Sequence, residues 1–426
     1  MRRYFNINLL IKAFFTAVIF SSFIYLAYFD INMPYLESFF GLLSFYVVLK
    51  AGKKELFWTG FFTGVLWFYW IALSFRYYGL SWMIPIMILF IGFVYGILFW
   101  TMGYLSEKAV LGILKKVFKK EKETIFLFFQ VLIKSLFLLL LSHIHPFGFN
   151  WFVPELVFIN SIFDTTKISF AVILLALLTL FVLPKKVKFL AFLPLVFALK
   201  GETSQPTMPP LKIYLSQTKI PQDKKWDPRY LNGIIKENFS IIDRAIEKNY
   251  DLVVLPESAF PLFLNREENI INLLKKRSLK IAIVTGALHL KGKLVYNSSF
   301  FFNKGEMTIA DKVVLVPFGE EIPLPSFLGK WINEKFYNGA EDYQKASKPT
   351  DFVVKGINFR NAICYEATHP KLYAGDPKYM IAISNNAWFI PSIEPVLQNL
   401  LIKYYAEKHG TVVFHSTNIA KTDIIW

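Results

Sequence analysis

The sequence predicts an N-terminal multi-span helical membrane bundle joined to a C-terminal α/β domain, and three observations predict it. First, 54% of the 426 residues are hydrophobic and only 18% charged, with 45 Phe and 10 Trp and a mean hydropathy of +0.41. A soluble globular chain is about a quarter charged, so part of this one must face lipid. Second, residues 1–200 hold 19 basic against 8 acidic residues, whereas residues 201–426 hold 28 against 23, so most of the net +16 belongs to the apolar part. Third, the pattern changes after GETSQPTMPP from long apolar runs to short β-branched runs alternating with amphipathic ones. Together these exclude a disordered, collagenous or coiled-coil chain, and the basic excess reads as membrane topology rather than a nucleic-acid footprint.

Taken in order, apolar segments long enough for a hydrocarbon core of ~30 Å lie near residues 8–28, 33–50, 56–75, 80–104, 124–142 and 168–184, and a short seventh lies near 187–200. Basic residues cluster in alternate connections: Arg2 and Arg3; Lys50, Lys53 and Lys54; Lys115, Lys116, Lys119, Lys120 and Lys122; Lys185, Lys186 and Lys188. The connections between them hold little more than Arg76 and Lys167. The positive-inside rule therefore places the N-terminus in the cytoplasm, and seven crossings deliver residue 201 to the opposite side. The first apolar run lacks a convincing small-residue cleavage site and further spans follow it, so it reads as a retained helix. The basic stretch Lys108–Lys122 reads either as an amphipathic segment on the inner leaflet or as a solvated loop. Lys134 is the clearest charge within a span and reads as structural or snorkelling rather than as a transport path. His143 and His145 lack a Cys, Asp or Glu nearby to complete a metal set.

Residues 1–200 are thus expected to form the membrane domain, 201–210 a linker and 211–426 a single α/β domain. Strands are expected in LKIYLSQ from Leu211, DLVVLPE from Asp251, KIAIVTGAL from Lys280, YNSSFFF from Tyr296, INFRNAICYE from Ile357, YMIAISN from Tyr379 and TVVFHST from Thr411. Helices are expected at about 231–248, 267–277 and 394–408.

The chemistry-bearing residues fall at the ends of these runs. In DLVVLPESAFP, Glu257 ends an apolar strand among Leu255, Pro256 and Phe260, where desolvation suits a carboxylate to act as a base; alone, a strand-end Glu is more often a helix cap or a surface residue. Lys312 precedes VVLVPFGEE, with Glu320 and Glu321 beyond a Phe318–Gly319 turn, and such a Lys either pairs with carboxylates and stabilises an oxyanion or simply meets solvent at a strand start. Cys364 is the only cysteine, so it makes no internal disulfide; it is either a small buried apolar group or a nucleophile. A base, a cation and a thiol at strand ends of one domain make a constellation for nucleophilic acyl chemistry.

LPESAFP, DKVVLVPFGE and ICYE, in that order, resemble the Glu-Lys-Cys signature of the nitrilase superfamily. With KIPQDKKWDP upstream, ISNNAWF downstream and the membrane spans, the chain resembles the apolipoprotein N-acyltransferase family over essentially its whole length. The resemblance implies an αββα nitrilase-like domain on the periplasmic side of the bacterial inner membrane. It implies transfer of an acyl chain from a membrane phospholipid to the α-amino group of an S-diacylglyceryl-cysteine at a lipoprotein N-terminus, by ping-pong kinetics through a thioester. Cys364 would be the nucleophile, Glu257 the general base, and Lys312 the oxyanion stabiliser aided by the backbone amide after the nucleophile. Glu320 would hold Lys312, Tyr365 and Glu366 would shape the pocket, and Trp226, Trp388 and Phe318 would line the acyl site or its lid. An ordinary thiol has a pKa of ~8.5, so the base and the Lys are expected to supply thiolate at neutral pH. No metal or organic cofactor is implied, and the partners would be the phospholipid donor, the lipoprotein acceptor and the bilayer, with no nucleic acid and a monomeric protein.

Three features depart from the family pattern. TKIPQ replaces the usual Gly-Asn-Ile-Pro-Gln, Asn386 stands where Asp is frequent, and the sequence ends at STNIAKTDIIW before any closing membrane helix. Two rival readings use the same residues: an anchored nitrilase-type amidase, in which water resolves the thioester, and a non-catalytic protein that binds acylated ligands. A transporter is disfavoured by the scarcity of paired charges within the spans.

Overall fold

The computed structural model describes residues 6–110, 112, 123–201, 205–324, 327, 329 and 342–426. The chain divides into two compact units, one of residues 1–75, 81–146 and 150–204, the other of residues 76–80, 147–149 and 205–426. The second unit thus takes in two short peptides from far upstream in the sequence.

The first unit is helical: α1 (Ile7–Tyr28), α2 (Pro34–Lys50), α3 (Lys53–Phe68), α4 (Ile84–Ala109), α5 (Glu123–Leu141) and α6 (Lys167–Val182). Pro34 stands at the first helical position of α2, where its missing N–H goes unmissed. Among the described residues four helical stretches are long and apolar enough to cross a membrane: Ile7–Tyr28, Lys53–Tyr78, Ser81–Ala109 and Thr124–Gly148. Lys167–Val182 is a shorter apolar helix. The short segment expected near 187–200 is a 3-10 helix, Lys185–Ala198, with Pro194 inside it; at a rise of ~2.0 Å per residue it still covers ~28 Å. Most of the basic stretch Lys108–Lys122 lies outside the described residues.

Helices α3 and α4 approach closely through small residues. A Cβ at Gly60 would stand 2.4 Å from the Tyr95 carbonyl oxygen, so only glycine permits this spacing. An aromatic cluster fills the rest of the unit, with Phe152 facing Trp67 at 4.9 Å and Tyr95 at 5.1 Å between ring centres. Lys134 is buried and donates to the carbonyls of Leu49 (2.9 Å) and Ala51 (2.7 Å), satisfying the end of α2. That is a structural use of the intramembrane charge.

The second unit contains two six-stranded sheets. The first has the order β1 (Ile213–Leu215), β3 (Leu252–Val254), β5 (Ala282–Lys291), β6 (Leu294–Asn303), β7 (Glu306–Asp311), with β4 (Phe260–Phe263) also pairing with β5. Its β1–β3–β5 part is parallel and its β5–β6–β7 part antiparallel. The second has the order β12 (Asp423–Ile425), β11 (Val412–Asn418), β10 (Tyr379–Asn385), β9 (Ile357–Ile363), β8 (Asp351–Val354), with β2 (Gln217–Thr218) pairing with β11. Here β9, β10 and β11 run parallel.

The sheets pack face to face. Val254 and Val284 of the first meet Ile363, Ile381 and Phe414 of the second in one buried core. Helices α7 (Pro228–Glu247) and α8 (Glu268–Ser278) cover the outer face of the first sheet through Ile241, Ile242 and Leu274. Helix α9 (Glu394–His409) packs beside β11, β12 and the turn that follows β9. The result is the α/β arrangement expected of residues 211–426, helices outside and two sheets within. The apolar run after Lys312 is not a strand, however: the amides of Val313, Val314 and Val316 are taken by side-chain carboxylates instead of a sheet neighbour.

Candidate active site

The chemistry-bearing residues converge because β3, β7, β9 and β10 all end at one side of the two sheets. Strand β3 stops at Val254, and the chain turns through Leu255, Pro256 and Glu257 into Ser258, whose φ is +49°. Gly286 of β5 lies directly against this turn: a Cβ there would stand 2.5 Å from Ser258 N and 2.6 Å from Glu257 Cα. Strand β9 ends at Ile363 and Cys364 follows with φ +53°, opening a short 3-10 turn. A left-handed non-glycine residue at this point makes the strand-to-turn corner sharp enough to present the sulfur at the sheet's edge.

Glu257 is 7% exposed. Its Oε1 accepts from Asn297 Nδ2 at 2.8 Å and its Oε2 from the Asn385 backbone N–H at 2.8 Å. Both donors are held in turn. Asn297 Nδ2 also donates to Glu320 Oε1 at 2.8 Å, bridging the two carboxylates. Asn385 is pinned by its side chain, which donates to Gln222 Oε1 (2.9 Å) and accepts from Asn418 Nδ2 (2.8 Å). A carboxylate gripped this way keeps one orientation.

The Lys312 side chain is fully buried, and its Nζ pairs with Glu320 Oε2 at 2.8 Å. Glu320 Oε2 also accepts the Val316 N–H at 2.9 Å, closing the turn that carries it. Burial alone would lower the lysine's pKa, but Glu320, then Glu257, Cys364 and Glu366, hold it above the ordinary value. Lys312 is therefore a permanent buried cation.

For Cys364, burial pushes the thiol well above its ordinary pKa; Glu257 adds to this, Lys312 opposes it, and Glu394 and Glu320 add further. Burial, the largest of these influences, and the surrounding carboxylates thus oppose the thiolate that the Lys312 ammonium favours.

Glu366 is 1% exposed and stitches the site together: Oε1 accepts from the N–H groups of Val313 (2.6 Å) and Val314 (3.0 Å), and Oε2 from Ile363 (2.8 Å). Burial raises its pKa to about 7 against the pull of Lys312 and those three donors. Tyr365 donates through its hydroxyl to the Gly148 carbonyl (3.3 Å), and its ring stacks on Phe149 at 5.8 Å. Phe318, at φ +62°, meets Phe147 edge-on at 5.6 Å. Trp388 stacks on Tyr78 (5.9 Å) and meets Tyr77 edge-on (5.5 Å), while the Tyr77 hydroxyl donates to the Ala387 carbonyl and the Arg76 guanidinium to that of Ile390.

Trp226 is 40% exposed, and no hydrogen bond among the described residues joins it to the Glu257 network. Its neighbour Lys225 does reach there. Lys225 is buried, its Nζ donates to the carbonyls of Glu257 (3.3 Å) and Ser258 (3.2 Å), and burial lowers its pKa to about 8 against the pull of Glu257. Sequence reasoning missed Lys225, Asn297, Asn385, Glu394 and Gln398. Lys225 was inside a quoted motif, but a Lys-Lys pair beside a Trp looks solvated, and lone amides in strands give no periodic signal.

The arrangement brings together a held carboxylate, a buried ammonium and a thiol, a set that suits attack on an acyl carbonyl. The model for the "Apolipoprotein N-acyltransferase integral membrane domain" matches residues 7–201. The apolipoprotein N-acyltransferase of Wolinella succinogenes is 45% identical, over 97% of this chain and 95% of the relative. That of Helicobacter hepaticus is 40% identical, over 92% of this chain and 94% of the relative. A solved CN-hydrolase superfamily protein of Xanthomonas campestris is 16% identical at a TM-score of 0.38, covering 51% of this chain and 80% of its own. The membrane-domain match and the four apolar helices make this a membrane protein. Matched along nearly its whole length by such relatives, the chain belongs to the apolipoprotein N-acyltransferase family.

Proposed function

We propose that this protein moves an acyl chain from a membrane phospholipid to the α-amino group of an S-diacylglyceryl-cysteine at a lipoprotein N-terminus, through a thioester on Cys364. The observation that carries the reading is the hydrogen-bonded frame Glu257–Asn297–Glu320–Lys312, which fixes a base and a cation beside the sole cysteine.

In the first half-reaction Sγ attacks the ester carbonyl carbon while Glu257 takes the thiol proton, so no free thiolate need accumulate. The carbonyl electron pair moves to oxygen, where the Lys312 ammonium and the Tyr365 backbone N–H oppose the charge. Collapse breaks the ester C–O bond, the proton passes from Glu257 to the departing oxygen, and lysophospholipid leaves. In the second half the lipoprotein amine attacks the thioester carbon, Glu257 accepts its proton, the C–S bond breaks and the thiol is restored. The donor product leaves before the acceptor enters, which is ping-pong order.

The charge pattern of the connections supports an N-terminus in the cytoplasm and the α/β unit on the periplasmic face of the inner membrane. There both lipid-linked substrates are confined to the leaflet in which the reaction occurs. Residues 1–200 would serve as the membrane domain and 211–426 as the catalytic domain. Trp388, Phe318 and Tyr365, each against an aromatic ring of residues 76–80 or 147–149, would line the entry of the acyl chain.

The test is intact-protein mass spectrometry of full-length protein incubated with one defined phospholipid and no acceptor. A hydroxylamine-labile gain of one fatty acyl mass, absent in Cys364→Ala, is expected. A folded wild-type protein that gains no mass from any of several phospholipids overturns the reading.

A further inference from the structure

A second polar chain, which the mechanism above does not use, reaches Cys364 from α9. Gln398, one turn into α9, is fully buried, and its Nε2 donates to Cys364 Sγ at 3.6 Å. Its Oε1 accepts from Asn386 Nδ2 at 3.0 Å, and the same Nδ2 donates to Glu394 Oε2 at 2.9 Å. Asn386 and Glu394 are each 1% exposed, so no solvent shares these bonds.

The chain has a polarity that the donors and acceptors dictate. Asn386 spends both amide hydrogens, one on Glu394 and one on Gln398. Because it donates to the Gln398 carbonyl, the Gln398 amide must turn its NH₂ toward the sulfur. Among the described residues the Oδ1 of Asn386 has no hydrogen-bond partner. The orientation is thus set by the two acceptors rather than by any need of Asn386 itself. An Asp at this position could only accept, and the Gln398 amide would then turn over, presenting its carbonyl to the sulfur.

An N–H aimed at sulfur favours the negatively charged form, since a thiol is a weak acceptor and a thiolate a strong one. We propose that Gln398 is a catalytic residue that donates to Cys364 Sγ as negative charge forms on it, and that Asn386 and Glu394 are positioning residues that fix the donating face of the Gln398 amide. The proposal deepens the acyl-transfer reading and rests on it for the sulfur's role, but it also governs the sulfur's reactivity toward any electrophile. The charged and titratable groups that act on the thiol are Glu257, Lys312, Glu394 and Glu320. Lys312 favours the thiolate and the carboxylates oppose it, so Gln398 acts in the same sense as the lysine. Burial and Glu257 raise the pKa of Glu394 to about 8, with Asn386 opposing, so that group titrates in the range of interest and needs its own control.

The test uses full-length protein, in which Cys364 is the sole cysteine, and follows the rate of its alkylation by iodoacetamide against pH. Asn386→Leu, which removes both donors without adding a charge, and Gln398→Met should each move the profile to higher pH, with alkylation on the order of tenfold slower at a pH below the wild-type midpoint. Asn386→Leu should add nothing once Gln398 is Met. Glu394→Gln keeps an acceptor for Asn386 and should not move the profile upward. If Gln398→Met does not fold, the uncharged Gln398→Leu replaces it and should shift the profile as far. Unshifted profiles in folded variants, or full additivity of the two substitutions, overturn the proposal. Acylation by a defined phospholipid is measured in parallel: shifted alkylation with no acyl-enzyme in any protein would sink the acyl-transfer reading and leave the role of Gln398 standing, whereas acylation with unshifted alkylation would do the reverse.

Discussion

A Cβ on Gly286 would lie 2.6 Å from Glu257 Cα, so the strand beside Glu257 carries a glycine because the backbone of Glu257 occupies the space a side chain would take. The obstructing atoms are backbone and cannot swing aside. Gly286→Ala should therefore destabilise the protein by about 1–3 kcal/mol, as overpacking does, and displace Glu257. A misplacement of ~1 Å at a catalytic group lowers rates by ~100-fold. Thermal unfolding and the rate of acyl-enzyme formation check the two effects separately, and a variant with wild-type acylation would show that the turn adapts freely.

Removing one partner of the Lys312–Glu320 pair leaves the other charge buried. Glu320→Leu should lower stability by about 3–5 kcal/mol at neutral pH. The sign follows from the lysine's raised pKa: its paired, protonated form stabilises the fold fully below the ordinary lysine value, and only pH above that value erodes the contribution. The loss should accordingly be constant from pH 6 to about pH 9. A loss that instead vanished within that range would mean Lys312 is neutral in the folded protein.

Asn297 separates two carboxylates by donating to both. Asn297→Asp replaces the shared donor with a third acceptor of like charge, which should push the Glu257 carboxylate out of place. Single-turnover acylation is expected to fall by on the order of 100-fold at pH 7. Asn297→Ser, smaller but still able to donate, should retain more activity than Asn297→Asp. The opposite order would show that space rather than hydrogen bonding sets the position of Glu257.

His415 gives a pH signature independent of catalysis. It is 1% exposed, its Nε2 lies 2.8 Å from the Ser384 hydroxyl, and burial lowers its pKa to about 4. Between its folded value and the ordinary 6.5, the unfolded chain binds a proton that the folded one refuses, so stability falls as pH drops through this window. The span corresponds to ~3 kcal/mol. His415→Gln should flatten the acid limb of a melting-temperature profile between pH 6.5 and pH 4. An unchanged limb would assign the acid sensitivity elsewhere.

Much of this was legible in the sequence, for reasons that can be stated residue by residue. Runs such as DLVVLPE and YMIAISN announce buried strands because β-branched and apolar residues are continuous where both faces are covered, and they appear as β3 and β10. The 3.6-residue pattern likewise announced α7, α8 and α9. Strands β4, β7, β8 and β12 were not foreseen; β4, β8 and β12 have only three or four residues, too few to carry a period, and β7 breaks strict alternation with Ile309 and Ala310 side by side. Nor was the irregular course after Lys312. VVLV has the composition of a strand, yet Glu366 and Glu320 take its amides, and no local rule anticipates a carboxylate 53 residues away. Asn297, Asn385 and Gln398 were invisible for the same reason: each is a single amide whose meaning depends on partners that only the fold supplies.

The three-part make-up of the second unit has a consequence for biosynthesis. Tyr77 precedes its hydrogen-bond partner Ala387 by 310 residues, and Arg76 precedes Ile390 by 314. At about 5–20 residues per second, tens of seconds of translation separate the two sides of each contact. Residues 76–80 must therefore wait, already made, until Ala387, Trp388 and Ile390 have emerged before the aromatic surround of Trp388 can close. A nascent chain cut short before Ala387 lacks that closure. The aromatic surround of Trp388 thus becomes complete only long after its first residues have been made, a delay built into the order of the chain.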